Sequence, residues 1–131
     1  MREKIFACMA LGVAAIGSAS ASQWVEVPGG FAAGKASVDL ESMTGSMKVD
    51  RTVWTKYEYS QTNVPTQPLI KPWKSSLERA TFYCAQRTKL ITDIALYDAV
   101  GKEISSNKTA DTINIRPDSA EENMMKFVCS H

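Results

Sequence analysis

Residue types that commonly drive catalysis are scarce in this chain of 131 residues. Its single histidine is His131, the last residue of the sequence, and a Ser–His or Cys–His pair needs an imidazole beside its nucleophile. A carboxylate pair for glycoside cleavage stays open, because Glu58, Glu78 and Asp93 fall on predicted strands. Ordinary surface charge is the favoured interpretation of these three residues, and we predict that the chain is not an enzyme.

Metal and cofactor motifs are also missing from the sequence. No Cys/His cluster has the spacing of a zinc site, and there is no glycine-rich phosphate loop. Thioethers for a soft metal occur at Met43 and Met47, and at Met124 and Met125 with His131. Methionines on a helix face are more typical of core packing, so we predict no metal site and no cofactor.

The aromatic residues are the best candidates for a binding surface. A period-two pattern over residues 47–59 places Trp54 on one face of a strand and Tyr57 and Tyr59 on the other, so these side chains cannot all point into one core. Outward aromatic residues on a sheet are typical of protein-binding surfaces. We predict a partner-binding surface among Trp54, Tyr57, Tyr59 and Trp73, the last in a proline-rich segment. The alternative is that several of them, Trp54 above all, pack in the core.

The first 21 residues have the order of a secretory signal peptide. Arg2 and Lys4 precede an apolar run over residues 5–16, and the small residues Ala19-Ser20-Ala21 follow. The apolar run is shorter than the roughly 20 residues that cross a bilayer. We therefore predict a signal peptide over residues 1–21, no transmembrane segment, and export to the periplasm or the cell surface.

Cleavage after this segment leaves residues 22–131, a length suited to a single domain. Cys8 is removed with the leader, and we see no lipid-carrying cysteine. Without Arg2, Lys4 and Glu3, the 15 basic and 14 acidic residues become 13 of each, so the mature chain carries no net charge. A neutral chain has no basic excess that would favour nucleic acid or anionic lipid as a partner.

Two cysteines, Cys84 and Cys129, remain in the mature chain. Exported proteins meet oxidising surroundings, so we predict a disulfide between them, with free thiols or metal ligands as the alternatives. The bridge would close a loop of about 46 residues, which the loop-entropy model values at roughly 4 kcal/mol.

Period-two patterns predict strands, and a change to a period of 3.6 predicts a C-terminal helix of about ten residues. Ser119 and Glu122 form a capping box at its start, with Asp118 as a competing cap. The predicted fold class is α+β: an antiparallel meander of about five to six strands, with the helix packed on one face and tethered by the disulfide. Strands are predicted over residues 47–59, 77–86, 90–97, 102–106 and 112–116, with short β-prone runs at residues 23–27 and 37–40 as further candidates, and the proline-rich segment covers residues 60–75.

A series of short segments follows one order over almost all of the mature chain. They are Trp24-Val25, Val38-Asp39-Leu40-Glu41-Ser42, Val53-Trp54-Thr55-Lys56, Cys84-x-x-Arg87, Tyr97-Asp98-x-x-Gly101, Ile104-Ser105-Ser106 and Ile115-x-Pro117-Asp118-Ser119, leading to Cys129. Together they resemble the surface-adhesin protein E family of Gram-negative bacteria. The resemblance implies an antiparallel sheet whose C-terminal helix is tethered through Cys84 and Cys129, and a role at the bacterial envelope.

The best-known members of that family are outer-membrane lipoproteins that bind host matrix and serum proteins such as vitronectin, laminin and plasminogen, and also haem. The resemblance therefore implies a non-catalytic envelope binding protein of the adhesin type, with a host matrix or serum protein as its partner. Two alternatives stay open. One is a periplasmic protein that binds or inhibits an envelope partner, and the other is a carrier of a small ligand such as haem. Exposed edge strands also leave a homodimer open.

Overall fold

The computed structural model describes residues 22–29, 33–66 and 71–131. The predicted signal peptide, with Cys8, lies outside the described residues. Within them, the chain forms one antiparallel sheet and a C-terminal α-helix, so the predicted fold class is confirmed. The helix is α1 (Ala120–Cys129), and the strands are β1 (Trp24–Glu26), β2 (Gly34–Asp39), β3 (Thr44–Ser46), β4 (Asp50–Asn63), β5 (Trp73–Tyr83), β6 (Thr88–Tyr97) and β7 (Glu103–Asn114).

The strands lie side by side in the order β1-β2-β4-β5-β6-β7, and the short β3 pairs with β4 as well. From β4 to β7 each strand pairs with the next one along the chain, which is the predicted meander. The described part of the chain holds seven strands where about five to six were predicted, because both short β-prone runs form strands and the three-residue β3 adds another, while the segments at 102–106 and 112–116 merge into one.

The β4–β5 hairpin is longer than its sequence pattern predicts. Residues 47–49 form a turn, with Lys48 at a φ of 67°, so β4 starts at Asp50 rather than at residue 47. At the other end β4 continues to Asn63, which pairs with Trp73 across the hairpin. The prolines of the loop limit strand structure only near their own positions, and cross-strand pairing extends the sheet on both sides of them.

The alternation of residues 90–97 predicts Leu90, Thr92, Ile94 and Leu96 on one side of the strand, and this is wrong in the first half of β6. A bulge at Thr92 shifts the register between Ile91 and Asp93, so Leu90 and Ile94 face opposite sides of the sheet instead of the same side. A bulge adds one residue to one strand and reverses the alternation beyond it. The two segments predicted at 102–106 and 112–116 are parts of a single strand, β7, which pairs with β6 along its length despite its polar middle.

Helix α1 begins at the predicted capping box. Ser119 is the N-cap, and its hydroxyl accepts a hydrogen bond from the Glu122 N–H at 3.2 Å. The Glu122 carboxylate accepts the N–H of Asp118 at 3.0 Å. Asp118, the competing cap, instead takes a left-handed conformation with a φ of 58° before the helix. The hydrogen bond from Asp118 and the contact with Arg87 hold the pKa of Glu122 below its usual range.

The turn between β5 and β6 holds both ends of this helix. Cys84 forms the predicted disulfide with Cys129 at the C-terminal end, with sulfur atoms 2.03 Å apart and Cα atoms 6.1 Å apart. Arg87, three residues further along the turn, forms an ion pair with Glu122 in the first helical turn. The helix is therefore fastened across the sheet at two points, and it packs against β2, β4 and β5.

The core fills the space between the helix and one face of the sheet, which we name the inner face. Val53 and Phe82 on the strands and Met124 and Val128 on the helix are fully buried there. Met124 and Met125 are thus core residues, as the helical pattern indicated. The remaining core members are Val27, Ala36, Val38, Tyr57, Ala80 and Ile115.

One lysine lies inside the inner face. Lys89 is 2% exposed, and its ammonium donates to the Glu78 carboxylate at 3.1 Å and to the Tyr57 hydroxyl at 3.3 Å. Burial alone lowers the pKa of Lys89, but Tyr57 and Glu78 outweigh burial and hold that pKa above its usual range. Burial also raises the pKa of Tyr57 to about 12. The folded protein therefore favours a charged lysine and a neutral tyrosine.

Removal of the disulfide tests how much it contributes to folding. We expect the Cys84→Ser/Cys129→Ser variant to lose about 4 kcal/mol of unfolding free energy, because the unfolded chain regains the entropy of a long loop. Urea unfolding of the variant and of the wild-type protein, both monitored by circular dichroism, measures this loss. Equal urea midpoints for the two proteins would contradict it.

The Lys89 cluster predicts a loss of stability in alkali. The contribution of Lys89 to the unfolding free energy is fully present below about pH 10.4, the pKa of lysine in the unfolded chain. It disappears as the pH rises through the higher pKa of Lys89 in the folded protein. The unfolded chain also loses its Tyr57 proton near pH 10, whereas the folded chain keeps it to about pH 12. Both effects lower the unfolding free energy above about pH 10.

Thermal unfolding of the Lys89→Met variant between pH 7 and pH 11.5 checks this assignment. We expect lower stability at neutral pH, because Glu78 loses its partner, and a shallower fall in alkali than in the wild-type protein. Lys126→Met is the matched control, since the Lys126 side chain is 67% exposed. If the melting temperature of Lys89→Met fell as steeply with alkaline pH as that of Lys126→Met, Lys89 would not contribute to the alkaline loss of stability.

Candidate functional site

The sheet face opposite α1, which we name the outer face, carries the tryptophans. Trp54 pairs with Arg79 across β4 and β5, while its neighbours Val53 and Thr55 are fully buried on the inner face. Trp24 pairs with Asp39, next to the inward Val25–Val38 pair. Alternation along β5 places Trp73 on the side of Leu77 and Arg79. All three tryptophans of the chain therefore lie on the face that the helix leaves uncovered.

The four residues predicted as a partner-binding surface divide between the two faces. Trp54 and Trp73 lie on the outer face, each partly buried. Tyr57 is only 5% exposed and belongs to the core, so its ring offers almost no surface to a protein partner. Tyr59 is half-buried and packs against the core from its edge. The expectation that Trp54 packs in the core is also not met, because the core lies on the opposite face.

Trp24 is an outer-face tryptophan that the predicted surface omitted. It is 36% exposed, and the Lys56 ammonium stands 4.4 Å from the centre of its ring, a cation–π contact between two neighbouring outer-face side chains. The sequence contains a pattern that indicates this placement of Trp24, because Val25 and Val27 alternate with Trp24 and Glu26. The strand is so short that this alternation alone carries little weight.

Charged side chains on the outer face pair across the strands. Arg79 on β5 lies opposite Asp93 on β6, which in turn accepts a hydrogen bond from Lys108 on β7 at 2.6 Å. That bond, aided by the Thr92 hydroxyl, lowers the pKa of Asp93. The outer face therefore combines large aromatic rings with charges of both signs, a composition suited to protein recognition.

A trough opens at one end of the outer face, where the β4–β5 hairpin, the start of β2 and the β6–β7 turn meet. Its largest part has a volume of about 710 Å³ and is lined by residues that include Lys35, Glu58, Lys74 and Gly101. A second part of about 260 Å³ shares Glu58, Ser75 and Gly101 with the first and adds Lys56, Leu77 and Tyr97. A third part of about 330 Å³ continues past Asp98 and Ala99 to Lys71, Pro72 and Ile104. These shared residues make the trough continuous.

The carboxylates considered for glycoside cleavage do not assemble. Glu78 lies on the inner face, bound to Lys89, whereas Glu58 and Asp93 lie on the outer face. Glu58 pairs with Ser75 and Asp93 with Arg79, which separates them by about 13 Å along the strands at roughly 3.3 Å per residue. Glycosidase carboxylates lie roughly 5–9.5 Å apart.

The Lys89 cluster is unsuited to proton transfer near neutral pH. A lysine that serves as a general base needs a lowered pKa, and the pKa of Lys89 is raised. A cleft of about 220 Å³ between α1 and the sheet, lined by Tyr57, Tyr59, Glu78 and Glu121, adjoins the cluster. The cluster therefore serves to stabilise the fold beneath this cleft.

Neither a metal centre nor a membrane-spanning helix is found where the chain is described. Across residues 22–29, 33–66 and 71–131, no three His, Cys, Asp or Glu side chains lie close enough to hold a metal ion. No helix in those ranges combines the length and apolarity needed to cross a bilayer.

Two solved structures of protein E from Haemophilus influenzae share this architecture. One, from non-typeable H. influenzae, superposes with a TM-score of 0.54 at 15% identity, covering 86% of this chain and 78% of the other. The second, a crystal form II structure, has a TM-score of 0.53 at 16% identity, covering 72% of this chain and 79% of the other. At such identities the likeness concerns the fold alone. No curated protein matches the chain by sequence.

The family model for surface-adhesin protein E matches residues 24–130, nearly the whole described domain. That range holds the segments on which the resemblance was based, from Trp24-Val25 to Cys129. It also holds the disulfide and every strand and helix of the fold. The match in sequence and the match in fold agree, and the chain belongs to the surface-adhesin protein E family.

Proposed function

We propose that this protein is a non-catalytic adhesin, displayed at the surface of the bacterial cell, that binds a host matrix or serum protein through its outer face. The observation that carries the proposal is the position of the three tryptophans on the face opposite α1. Membership of the surface-adhesin family supports the adhesin role and export to the envelope.

The outer face has the size and chemistry that a protein partner requires. Six neighbouring strands about 4.8 Å apart, with a rise of about 3.3 Å per residue along β5, give a face of roughly 24 by 36 Å. That area matches the roughly 800 Å² that each partner buries in a standard interface. Tryptophan and arginine dominate the binding energy of such interfaces, and Trp54 and Arg79 are cross-strand neighbours here.

The periplasmic alternative differs from this proposal in location rather than in mechanism. A protein that binds or inhibits an envelope partner would use the same outer face but would remain inside the outer membrane. Antibody labelling of intact cells, compared with permeabilised cells, separates the two. Labelling that appears only after permeabilisation would favour the periplasmic alternative.

Substitution of the outer-face tryptophans tests the binding surface. We expect Trp54→Ala and Trp24→Ala to weaken binding of the mature protein to its host partner on the order of tenfold or more, because each variant removes a large aromatic contact. Surface plasmon resonance against immobilised vitronectin, laminin and plasminogen measures the affinity. Met47→Ala is the control, since Met47 is half exposed but lies on the β3–β4 turn.

Thermal melts distinguish lost contacts from lost folding in these variants. Trp54 is partly buried, whereas Trp24 sits on a three-residue edge strand, so at least Trp24→Ala should melt as the wild-type protein does. If the wild-type protein bound a partner and both folded tryptophan variants bound it equally well, the outer face would not be the binding surface.

Haem is the alternative ligand that the family resemblance raised. Tyrosinate is a known haem ligand, and Tyr57 and Tyr59 line the cleft beside α1. Burial raises the pKa of both phenols, which disfavours the tyrosinate form. We therefore expect no Soret shift when haem is titrated into the mature protein, and a saturable shift would contradict this expectation.

A further inference from the structure

We propose that the trough binds an extended acidic segment of the protein partner. This inference rests on the proposed function, because it takes the partner to be a protein. It adds the place on the outer face where part of the partner lies and the chemistry by which that part is recognised.

Lysines outnumber carboxylates along the trough. Four lysines line the trough, against the two carboxylates of Glu58 and Asp98. The Asp98 carboxylate is already engaged, since it accepts the backbone N–H groups of Val100 and Lys102 at 3.0 and 2.9 Å. The trough therefore holds a local positive excess on a mature chain that is neutral overall, and anionic groups are the complementary ligand. The four lysines are Lys35, Lys56, Lys71 and Lys74.

The positions of Lys56 and Lys74 keep their charge available, whereas Lys35 lies directly opposite Glu58 in the pairing of β2 with β4. Lys74 is held by a hydrogen bond to the Ser60 carbonyl at 2.7 Å, a neutral acceptor that leaves the ammonium charge uncompensated. Lys56 rests on the Trp24 ring, which is also uncharged. None of the four lysines forms an ion pair with another described residue.

The shape and the walls of the trough favour a peptide over a sulfated glycan or a free anion. The three parts follow one another from Leu77 and Tyr97 to Pro72 and Ile104, so the trough is elongated rather than a single round cavity. Its apolar walls offer contacts to aliphatic side chains, which a peptide has and a sulfated sugar lacks. Carboxylates with interspersed apolar side chains satisfy both the lysines and the walls.

Gly101 provides a means to close the trough without touching a lysine. It lies at the junction of the first two parts and has a φ of 85°. A Cβ atom added there would meet no other atom within 4 Å, so the position beside the trough has room for a side chain. Asparagine tolerates a positive φ better than other residues with a side chain, so Gly101→Asn is the variant of choice.

The test uses the mature protein and a synthetic peptide of glutamates with interspersed leucines, measured by isothermal titration calorimetry. The matched probe has glutamine at each glutamate. We expect the acidic peptide to bind saturably. The affinity for the amide peptide should be lower, on the order of tenfold or more. Raising the NaCl concentration from about 0.05 M to about 0.5 M should weaken the acidic peptide further, because salt screens exposed charges.

Two variants locate the binding. Lys35→Gln/Lys74→Gln should lose on the order of tenfold or more in affinity for the acidic peptide, since two attractive charges are removed. Lys48→Gln/Lys126→Gln, which removes two exposed lysines outside the trough, should bind as the wild-type protein does. Gly101→Asn should also lose affinity, with a melting temperature that confirms folding.

Three results would overturn the proposal: equal binding of the acidic and amide peptides, wild-type affinity in the Lys35→Gln/Lys74→Gln variant, or binding of heparin with no binding of the acidic peptide. A negative result for peptide binding in the trough is distinguishable from a negative result for the adhesin function. Wild-type protein that binds an immobilised host protein but not the acidic peptide would reject only the trough.

Discussion

Helix α1 is ten residues long, about 15 Å at 1.5 Å per residue, and it can cover only one side of the sheet. The β5–β6 turn decides which side, because Cys84 and Arg87 in that turn hold the two ends of the helix. The β3–β4 turn joins the same anchor, since Val49 accepts the Cys84 N–H and Lys48 donates to the Cys129 carbonyl. The division into an inner and an outer face follows from these contacts.

Whether a strand residue faces the helix or faces away from it determines whether its side chain is buried. Val53, Thr55 and Tyr57 face the helix and are buried, while Trp54 and Lys56 between them face away from it. The bulge at Thr92 places Lys89 on the inner face. There its ammonium is neutralised by the Glu78 carboxylate and hydrogen-bonded by the Tyr57 hydroxyl. A buried lysine without such partners would lose its proton or destabilise the fold.

The same division underlies the binding surface that we propose. A small domain that covers one sheet face with a helix leaves the other face for a partner, and tryptophan is the residue that contributes most to such interfaces. The trough lies at the end of that face where three connections meet. Loops at the end of a rigid sheet are common places for recognition.

Local pattern and cysteine chemistry are enough to predict several elements of this protein. The β4 alternation, the Ser119 cap and the Cys84–Cys129 pairing all rest on near neighbours or on the presence of just two cysteines beyond residue 21. The structure agrees with the cap, with the pairing and, from Asp50 onward, with the alternation. Which side of an alternating strand faces the core depends instead on where the helix packs. Period-two alternation is the same whichever face is buried, so Trp54 and Tyr57 could not be assigned until the helix was placed. The bulge that buries Lys89 and the continuity of β7 depend on pairing with strands distant in sequence, and no local pattern contains that information.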